Sequence, residues 1–313
     1  MEAIVINHYG DAKQLTAAEI SVPEITADQV LVKLHATSVN PIDWKMRTGL
    51  LKDAFPFHFP ITLGWDAAGT IEAIGENVHD FSIGDAVFAR PDLSREGTYA
   101  EYTAINQDKL AKKPANISFS QAAAVPLAGL TAWQTIHNVL KLQSGTNILI
   151  TGGSGGVGCF AIQLANLVGA HVTTTASPNH SDFVKSLGAE TVIDYHETRP
   201  SETLKDFDAV LDLVGGEALT DSYKVLKTGG HVASIVENID NELMTKLKLV
   251  GHHFWLDPKG TDLQQLAELL AANKLQVPIA RTLPFSEIGL NVAHRLSETG
   301  HVQGKIVIQM HND

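Results

Sequence analysis

Residues 148–158 read Ile148-Leu149-Ile150-Thr151-Gly152-Gly153-Ser154-Gly155-Gly156-Val157-Gly158, an apolar run that breaks into glycine. Gly153, Gly155 and Gly158 have the spacing G-x-G-x-x-G. The spacing alone is a weak signal; it gains meaning where a strand precedes it and a helix follows. Both conditions hold: Asn147 to Thr151 is strand-like, and Gly158 to Val168 reads as a helix that Gly169 ends in a left-handed cap. In such a turn one glycine permits the bend, the next lets the backbone approach a diphosphate, and the third lets helix and strand pack closely. The helix start offers unserved N–H groups and a partial positive charge. The plain alternative is a glycine-rich turn with no ligand.

Downstream, strands and helices keep alternating. His171 to Thr175 is the next strand, and His180 to Leu187 the next helix, ended by Gly188. Thr191 to Ile193, Ala209 to Leu213, His231 to Ile235 and Leu249 to Trp255 supply further strands, and Thr261 to Asn273 a last helix. Apolar strands alternating with helices indicate a parallel sheet covered on both faces, a doubly wound Rossmann domain expected over residues 122–276. Upstream the texture differs. Ala3 to Ile6, Val30 to Ala36, Gly69 to Ile74 and Asp85 to Ala89 are short β segments, which makes residues 1–121 a mainly-β domain. Ser120 to Leu140 is alanine-rich and helix-like, with Ser118 or Ser120 as its cap. Residues 277–313 read as β again and are expected to return to the first domain. The fold class is α/β.

The second strand of the doubly wound part distinguishes the two dinucleotides. An NAD site places an acid about 20 residues after the turn to bond the ribose 2′-OH. Here that stretch is Thr173-Thr174-Thr175-Ala176-Ser177-Pro178-Asn179-His180, with no carboxylate before Asp182. An acid would repel a 2′-phosphate, whereas Ser177, Asn179 and His180 suit it and Lys185 can reach, so NADPH is favoured. Ordinary polar-loop duty is the alternative for each of these residues. Tyr195, after the third strand, can pack beside the adenosine end. Asp212 to Gly215, with Val214, and Ser234 to Val236 follow the fourth and fifth strands and should line the carboxyl edge where the cofactor lies. His253 and Phe254 follow the sixth and can hold the nicotinamide end.

Composition narrows the partners. The 313 residues are 44% hydrophobic and 19% charged with a net charge of −12, the make-up of a globular chain with a sizeable core. An acidic surface argues against nucleic acid and anionic membranes, which need a positive footprint. Cys159 is the only cysteine, so no intrachain disulfide forms, which fits a reducing compartment. Met1 to Gly10 show no basic region followed by an apolar one, and no stretch approaches the roughly 18 apolar residues of a membrane span. A cytoplasmic location is expected.

Several short motifs occur in order along the chain. They are Ser38-Val39-Asn40-Pro41-Ile42-Asp43 with Arg47-Thr48-Gly49, Gly64-Trp65-Asp66-Ala67-Ala68-Gly69, Gly84-Asp85-Ala86-Val87 and Gly97-Thr98-Tyr99-Ala100-Glu101-Tyr102. Leu130-Thr131-Ala132-Trp133, Leu187-Gly188-Ala189 and Val192-Ile193-Asp194-Tyr195 follow. The ordered set resembles the zinc-free quinone oxidoreductases, the zeta-crystallin-like branch of the medium-chain dehydrogenase/reductase superfamily, over almost the whole chain. The resemblance implies a GroES-like domain (1–121 and 277–313) joined to the Rossmann domain, with the active site in the cleft between them.

The same resemblance bears on a metal. The three ligand positions of the zinc-dependent relatives fall on Asn40, Trp65 and near Leu127, none a competent zinc ligand. Without a Lewis acid, alcohol oxidation is disfavoured. Quinones and enones delocalise the incoming charge themselves and need positioning, water exclusion and a few donors. By resemblance Asn40 and Thr131 lie near the nicotinamide as the catalytic pair, and Lys305 is a candidate for the cofactor phosphates. Trp44, Leu50 and Trp65 are the candidate substrate pocket, with simple packing as the alternative. Tyrosine proton donors of some relatives are replaced here by Trp44 and Leu50. The resemblance also implies a homodimer. Two other readings stay open: an enoyl-thioester reductase, and a non-catalytic NADPH-binding structural or regulatory protein.

Overall fold

In the computed structural model, which describes residues 1–310, the chain divides into two units: Met1–Leu130 with the residues from Pro258 onward, and Thr131–Asp257. The second unit is built on six strands, in chain order Asn147–Ile150, His171–Ala176, Thr191–Asp194, Phe207–Asp212, Leu226–Ser234 and Val250–His253. All neighbours are parallel. Their spatial order is third, second, first, fourth, fifth, sixth, the doubly wound order of a Rossmann sheet. The order reverses between the first and fourth strands, and ligands of such sheets sit outside the carboxyl ends at that point. Ile148, Leu149, Ile150, Val210, Leu211 and Val232 are all fully buried, as strands covered on both faces require. The helix Gly156–Val168 packs Phe160, Ile162 and Leu164 inward and ends at Gly169, whose φ of 87° is left-handed.

The first unit centres on the 11-residue strand Gln29–Val39. It pairs antiparallel with Ala67–Ile74, Tyr102–Asn106 and Lys305–Gln309. Register shifts at Leu31/Val32 and Leu34/Ala36 bend it. The full path of that sheet is Ile279–Pro284, Lys305–Gln309, Gln29–Val39, Ala67–Ile74, Ala86–Ala89 and Leu110–Lys112. A smaller sheet orders Thr16–Glu19, Glu2–Ile6 and Ile61–Thr62. One apolar cluster joins Ile4, Ile6, Met46, Leu63, Trp65, Tyr99, Leu290 and Ile306; a second joins Val30, Val32, Ile71, Val87 and Ile105. No helix among the described residues is long and apolar enough to cross a membrane.

Three segments differ from the sequence reading. The alanine-rich stretch is two helices, Phe119–Ala123 and Pro126–Gln134, because Pro126 can only begin a helix. Ser118 caps the first, its hydroxyl accepting from the Gln121 N–H. The tail read as β holds the helix Glu287–Glu298 between its two strands, opened by Ser286 and burying Leu290, Ala293 and His294. Residues 311–313 of that tail lie outside the described residues. The helix Gly260–Ala271 belongs to the first unit, where its first glycine lies against the Leu110 carbonyl.

Two glycines of the turn are required for space. A Cβ on Gly158 would lie 2.6 Å from the Gly152 carbonyl oxygen and 2.7 Å from Gly153 Cα. On Gly153 it would lie 2.0 Å from Thr174 Oγ1. Gly155 has an ordinary φ of −75°, and its added Cβ would meet only the Gly152 oxygen at 3.4 Å. Gly158→Ala is therefore expected to cost about 1–3 kcal/mol in the unfolding of the second unit, as overpacking does, and Gly155→Ala to cost little. Equal urea midpoints for the two variants would contradict this steric assignment.

Candidate functional site

The turn in the second unit is braced by the strand beside it. Gly152 N–H donates to Thr175 Oγ1 at 2.9 Å, and Gly153 N–H to the Thr175 carbonyl at 3.0 Å. Gly155 N–H donates to the Gly152 carbonyl at 3.1 Å. Two of the amides between residues 153 and 158 are thus internal to the turn. Gly155 is the N-cap of Gly156–Val168 and has no side chain to cap it. The first-turn N–H groups of that helix lie beyond the reach of any carbonyl of their own helix, which is the anion-binding condition.

The expected cofactor residues fall around this turn in part. His180 Nδ1 stands 3.1 Å from Ser154 Oγ, which joins the end of the second strand to the glycine turn. Ser177 is half-buried and Asn179 exposed. Tyr195 is exposed beside His196, ring centroids 4.2 Å apart. Val214 is exposed, and its side chain lies against Gly152.

Asp212 is fully buried and works inside the protein. Its Oδ1 accepts from Thr151 Oγ1 (3.1 Å) and the N–H groups of Val214 and Gly215 (3.2 and 3.0 Å), and its Oδ2 from Ser234 Oγ (2.8 Å). Ser234 Oγ in turn accepts from the N–H groups of Val236 and Glu237. One carboxylate therefore sets the loops after the first, fourth and fifth strands. His253 Nδ1 donates to the Glu237 carbonyl at 2.9 Å, and Phe254 N–H to the Ser234 carbonyl. Thr151 and Glu237 had no role in the sequence reading.

In the first unit Asn40 sits in a buried polar cluster. It precedes the helix Pro41–Arg47, but its side chain makes no cap bond. Its Nδ2 donates to Asp66 Oδ2 at 2.7 Å, and its Oδ1 accepts from the Lys305 ammonium. An amide held by a cation at its oxygen and a carboxylate at its nitrogen cannot flip. Asp66 also accepts from Ser38 Oγ at 2.5 Å and Leu127 N–H at 2.7 Å, and lies 3.6 Å from the Lys305 ammonium. Of the relatives' three ligand positions, Asn40 thus faces an ammonium, Trp65 is packed in the core, and Leu127 contributes its backbone N–H. No three His, Cys, Asp or Glu side chains among the described residues are grouped to share a metal ion.

Lys305, a candidate for cofactor phosphates, is 4% exposed, and its ammonium serves Asn40, the Val39 carbonyl and Asp66. Trp65 is buried in the apolar core and so lines no open pocket. Leu50 is exposed, and Trp44 is half-buried with its indole N–H unpartnered. Thr131 opens the second unit, on the helix Pro126–Gln134, and its carbonyl accepts from Thr135 Oγ1.

A one-way chain of donors runs to Asp43. Arg47 has only donors, so His294 Nδ1, 3.1 Å from its Nη1, accepts. His294 Nε2 then carries the proton and donates to Tyr99 OH at 3.0 Å, and Tyr99 OH donates to Asp43 Oδ2 at 2.9 Å. That oxygen also accepts the Asn40 N–H at 2.8 Å. Arg47 is anchored at its other edge by Glu298 at 2.5 Å and the Gly10 carbonyl at 3.1 Å. Burial pushes Asp43 up to about 7, against the lowering bonds from Asn40 and Tyr99. Burial and Arg47 push His294 down to about 3. Burial, with Asp43 nearby, raises the Tyr99 hydroxyl well above its usual range, and burial lowers the Lys305 ammonium against the pull of Asp66 and Asp43. Asp66, Tyr99 and Arg47 were visible as motif members, yet only contacts distant in sequence reveal what they do.

Two family models match the chain: an alcohol dehydrogenase GroES-like domain over residues 26–115 and a zinc-binding dehydrogenase over residues 187–308. The mitochondrial NAD(P)H oxidoreductase RTN4IP1 of Bos taurus is 35% identical, covering 99% of this chain and 89% of its own. A chloroplast envelope quinone oxidoreductase homolog of Arabidopsis thaliana is 35% identical, covering 99% and 98%. Among solved structures, a quinone oxidoreductase from Coxiella burnetii matches with a TM-score of 0.93 at 36% identity, covering 99% of each chain. Escherichia coli quinone oxidoreductase complexed with NADPH matches with a TM-score of 0.89 at 26% identity, covering 99% and 100%. The cytoplasmic location expected from the sequence does not stand, because the curated relatives are named mitochondrial or chloroplast proteins. Composition and cysteine count describe a folded domain, whereas location follows receptor-read targeting signals.

The two shifted groups of the donor chain oppose each other in their effect on stability. Asp43, raised from 3.8 to about 7, contributes stability that is full below 3.8 and lost as pH rises through about 7. His294, lowered from 6.5 to about 3, contributes stability that is full above 6.5 and lost as pH falls toward 3. Between roughly pH 4 and 6.5 the two cancel. Asp43→Asn leaves the His294 effect alone, so relative to wild type its stability should rise with pH in that window, by up to about tenfold in the unfolding constant per pH unit. His294→Gln should show the opposite slope. Parallel pH profiles for wild type and both variants in chemical denaturation would refute the assignment.

Proposed function

The chain belongs to the zinc-independent quinone oxidoreductase branch of the medium-chain dehydrogenase/reductase superfamily, and from that premise we propose how its residues serve the NADPH-linked reduction of quinones and conjugated enals or enones. The observation that carries the reading is the uncapped start of Gly156–Val168 beside a second strand that is followed by Ser177, Asn179 and His180 with no carboxylate. That arrangement fits a dinucleotide with a 2′-phosphate: the Gly156 and Val157 N–H groups face the diphosphate, and the hydroxyl, amide and imidazole face the extra phosphate.

When bound, NADPH supplies the hydride. The protein's own part is positioning. Asp212 holds the Thr151, Val214 and Ser234 loops in place, with Val236, His253 and Phe254 carried on the last of them. Asn40, its amide locked by Lys305 and Asp66, keeps one Nδ2–H uncommitted to that pair and can present it to a carbonyl oxygen. Thr131 serves the nicotinamide side. Trp44 and Leu50 offer apolar surface and an indole N–H to a flat acceptor. With an ammonium in place of a Lewis acid, the acceptor must spread its own charge, as quinones and conjugated carbonyls do. Two copies are proposed to pair through the edge strand Val250–His253, where Val250 and the nearby Leu247 are exposed.

NADPH oxidation with 1,4-benzoquinone is expected to continue in excess chelator. Gly156→Asp, which adds a charge at the helix start, should abolish NADPH binding in a calorimetric titration; retained binding would contradict the turn's role. Ser177→Asp should raise the KM for NADPH about tenfold or more through repulsion of the 2′-phosphate while sparing NADH. An equal effect on both dinucleotides would remove Ser177 from the phosphate site.

A further inference from the structure

A buried guanidinium in the first unit makes no direct ion pair. Arg90 is 3% exposed. Its Nη1 donates to the Pro91 carbonyl at 2.5 Å, its Nε is buried without a partner, and no carboxylate among the described residues forms an ion pair with it. Guanidinium keeps its charge even when buried, and an unpaired buried charge is among the most costly arrangements a fold can hold. Such a group persists where a ligand completes it.

Its place in the fold points to which ligand. Arg90 follows the strand Ala86–Ala89, whose last residue pairs with Ala67. Arg90 and Asp66 therefore stand side by side at the end of that ladder, and Asp66 is the carboxylate that holds Asn40. Asp66, Asp92 and Asp43 are near enough to act on the guanidinium through their fields. Four of the five orphaned buried polar atoms among the described residues fall in the same stretch, the fifth being Thr103 Oγ1. Asp43 Oδ1, Trp44 Nε1, Trp65 Nε1 and Arg90 Nε all lack partners, and each belongs to Asp43, to a chain neighbour of Asp43 or Asp66, or to the ladder neighbour of Asp66. Three of those four atoms are donors. Asp43 Oδ1 is an acceptor, but the three unserved donors outnumber it, and one of them sits on a guanidinium that makes no ion pair of its own.

We propose that Arg90 is a specificity-determining residue of the acceptor site: through its free Nε–H it selects conjugated carbonyl or quinone acceptors that carry a carboxylate over neutral acceptors of the same shape. The inference rests on the reductase reading and names its substrate class. The cofactor's phosphates are the competing source of anionic oxygen, and the test separates the two.

The experiment is steady-state kinetics with NADPH and a matched pair of acceptors, 4-oxo-2-pentenoate and its methyl ester, on wild type, Arg90→Met and Arg90→Lys, with NADPH affinity measured in parallel. In Arg90→Met the acid-to-ester ratio of kcat/KM should fall about tenfold or more through the KM for the acid. The ester should lose clearly less than the acid, the Kd for NADPH should stay unchanged, and Arg90→Lys should recover part of the ratio. Should Arg90→Met not fold, Arg90→Lys alone decides, with a several-fold fall expected. An unchanged ratio, or equal losses for both acceptors, overturns the proposal. Weakened NADPH binding with an intact ratio also overturns it and assigns the guanidinium to the cofactor. No turnover of either acceptor, or of benzoquinone, by wild type brings down the reductase reading itself.

Discussion

The close approach of Gly158 to the backbone of Gly152 and Gly153 is the contact on which the second unit depends. With no Cβ at Gly158, the helix Gly156–Val168 can start directly against the end of the first strand. That places its uncapped first turn at the carboxyl edge of the sheet, at the switch in strand order. Asp212 then converts neighbouring loops into fixed walls, because a fully buried carboxylate is stable only when its oxygens are served, and here Thr151, Val214, Gly215 and Ser234 serve them. The anion site proposed at this turn follows from packing: remove the steric permission at one glycine and the oriented amides lose their position.

In the first unit the corresponding constraint is charge. Burying Lys305 and Asp66 together costs desolvation that their mutual attraction offsets only with further hydrogen bonds. Ser38, Asn40, the Leu127 N–H and the Val39 carbonyl supply them. What the pair contributes is orientation of the Asn40 amide rather than net stability. A tethered ammonium gives the site a fixed positive charge that needs no recruitment, but it offers no open coordination position. In the role proposed for Asn40, that difference favours acceptors able to delocalise a hydride's charge. The donor chain from Arg47 to Asp43 adds a second brace, since Asp43 also holds the Asn40 N–H.

Most of the doubly wound unit was legible in the sequence, because its signals are local: apolar runs, a glycine turn between strand and helix, and an acid missing where one would be placed. His180 meeting Ser154 follows directly from that local order. What escaped the sequence reading depends on distant contacts. Lys305 reads as a cation available to phosphate, yet its partner Asn40 is 265 residues away. Trp65 reads as a pocket aromatic, yet it is core. The helix Glu287–Glu298 hid in a tail of β-like composition, its buried face including a histidine that an apolar pattern does not count. His294 and Tyr99 meet only after folding, and the unpaired Nε of Arg90 is a property of its surroundings that no residue type announces. Cellular location was never encoded in the features used to infer it.

The most direct test of the central claim is a crystal structure of the chain with NADPH bound. The account predicts diphosphate oxygens within about 3 Å of the Gly156 and Val157 nitrogens, with the 2′-phosphate beside Ser177, Asn179 and His180. A dinucleotide held elsewhere with those amides still facing water, or a metal ion in the place of the Lys305 ammonium beside Asn40 and Asp66, would contradict it.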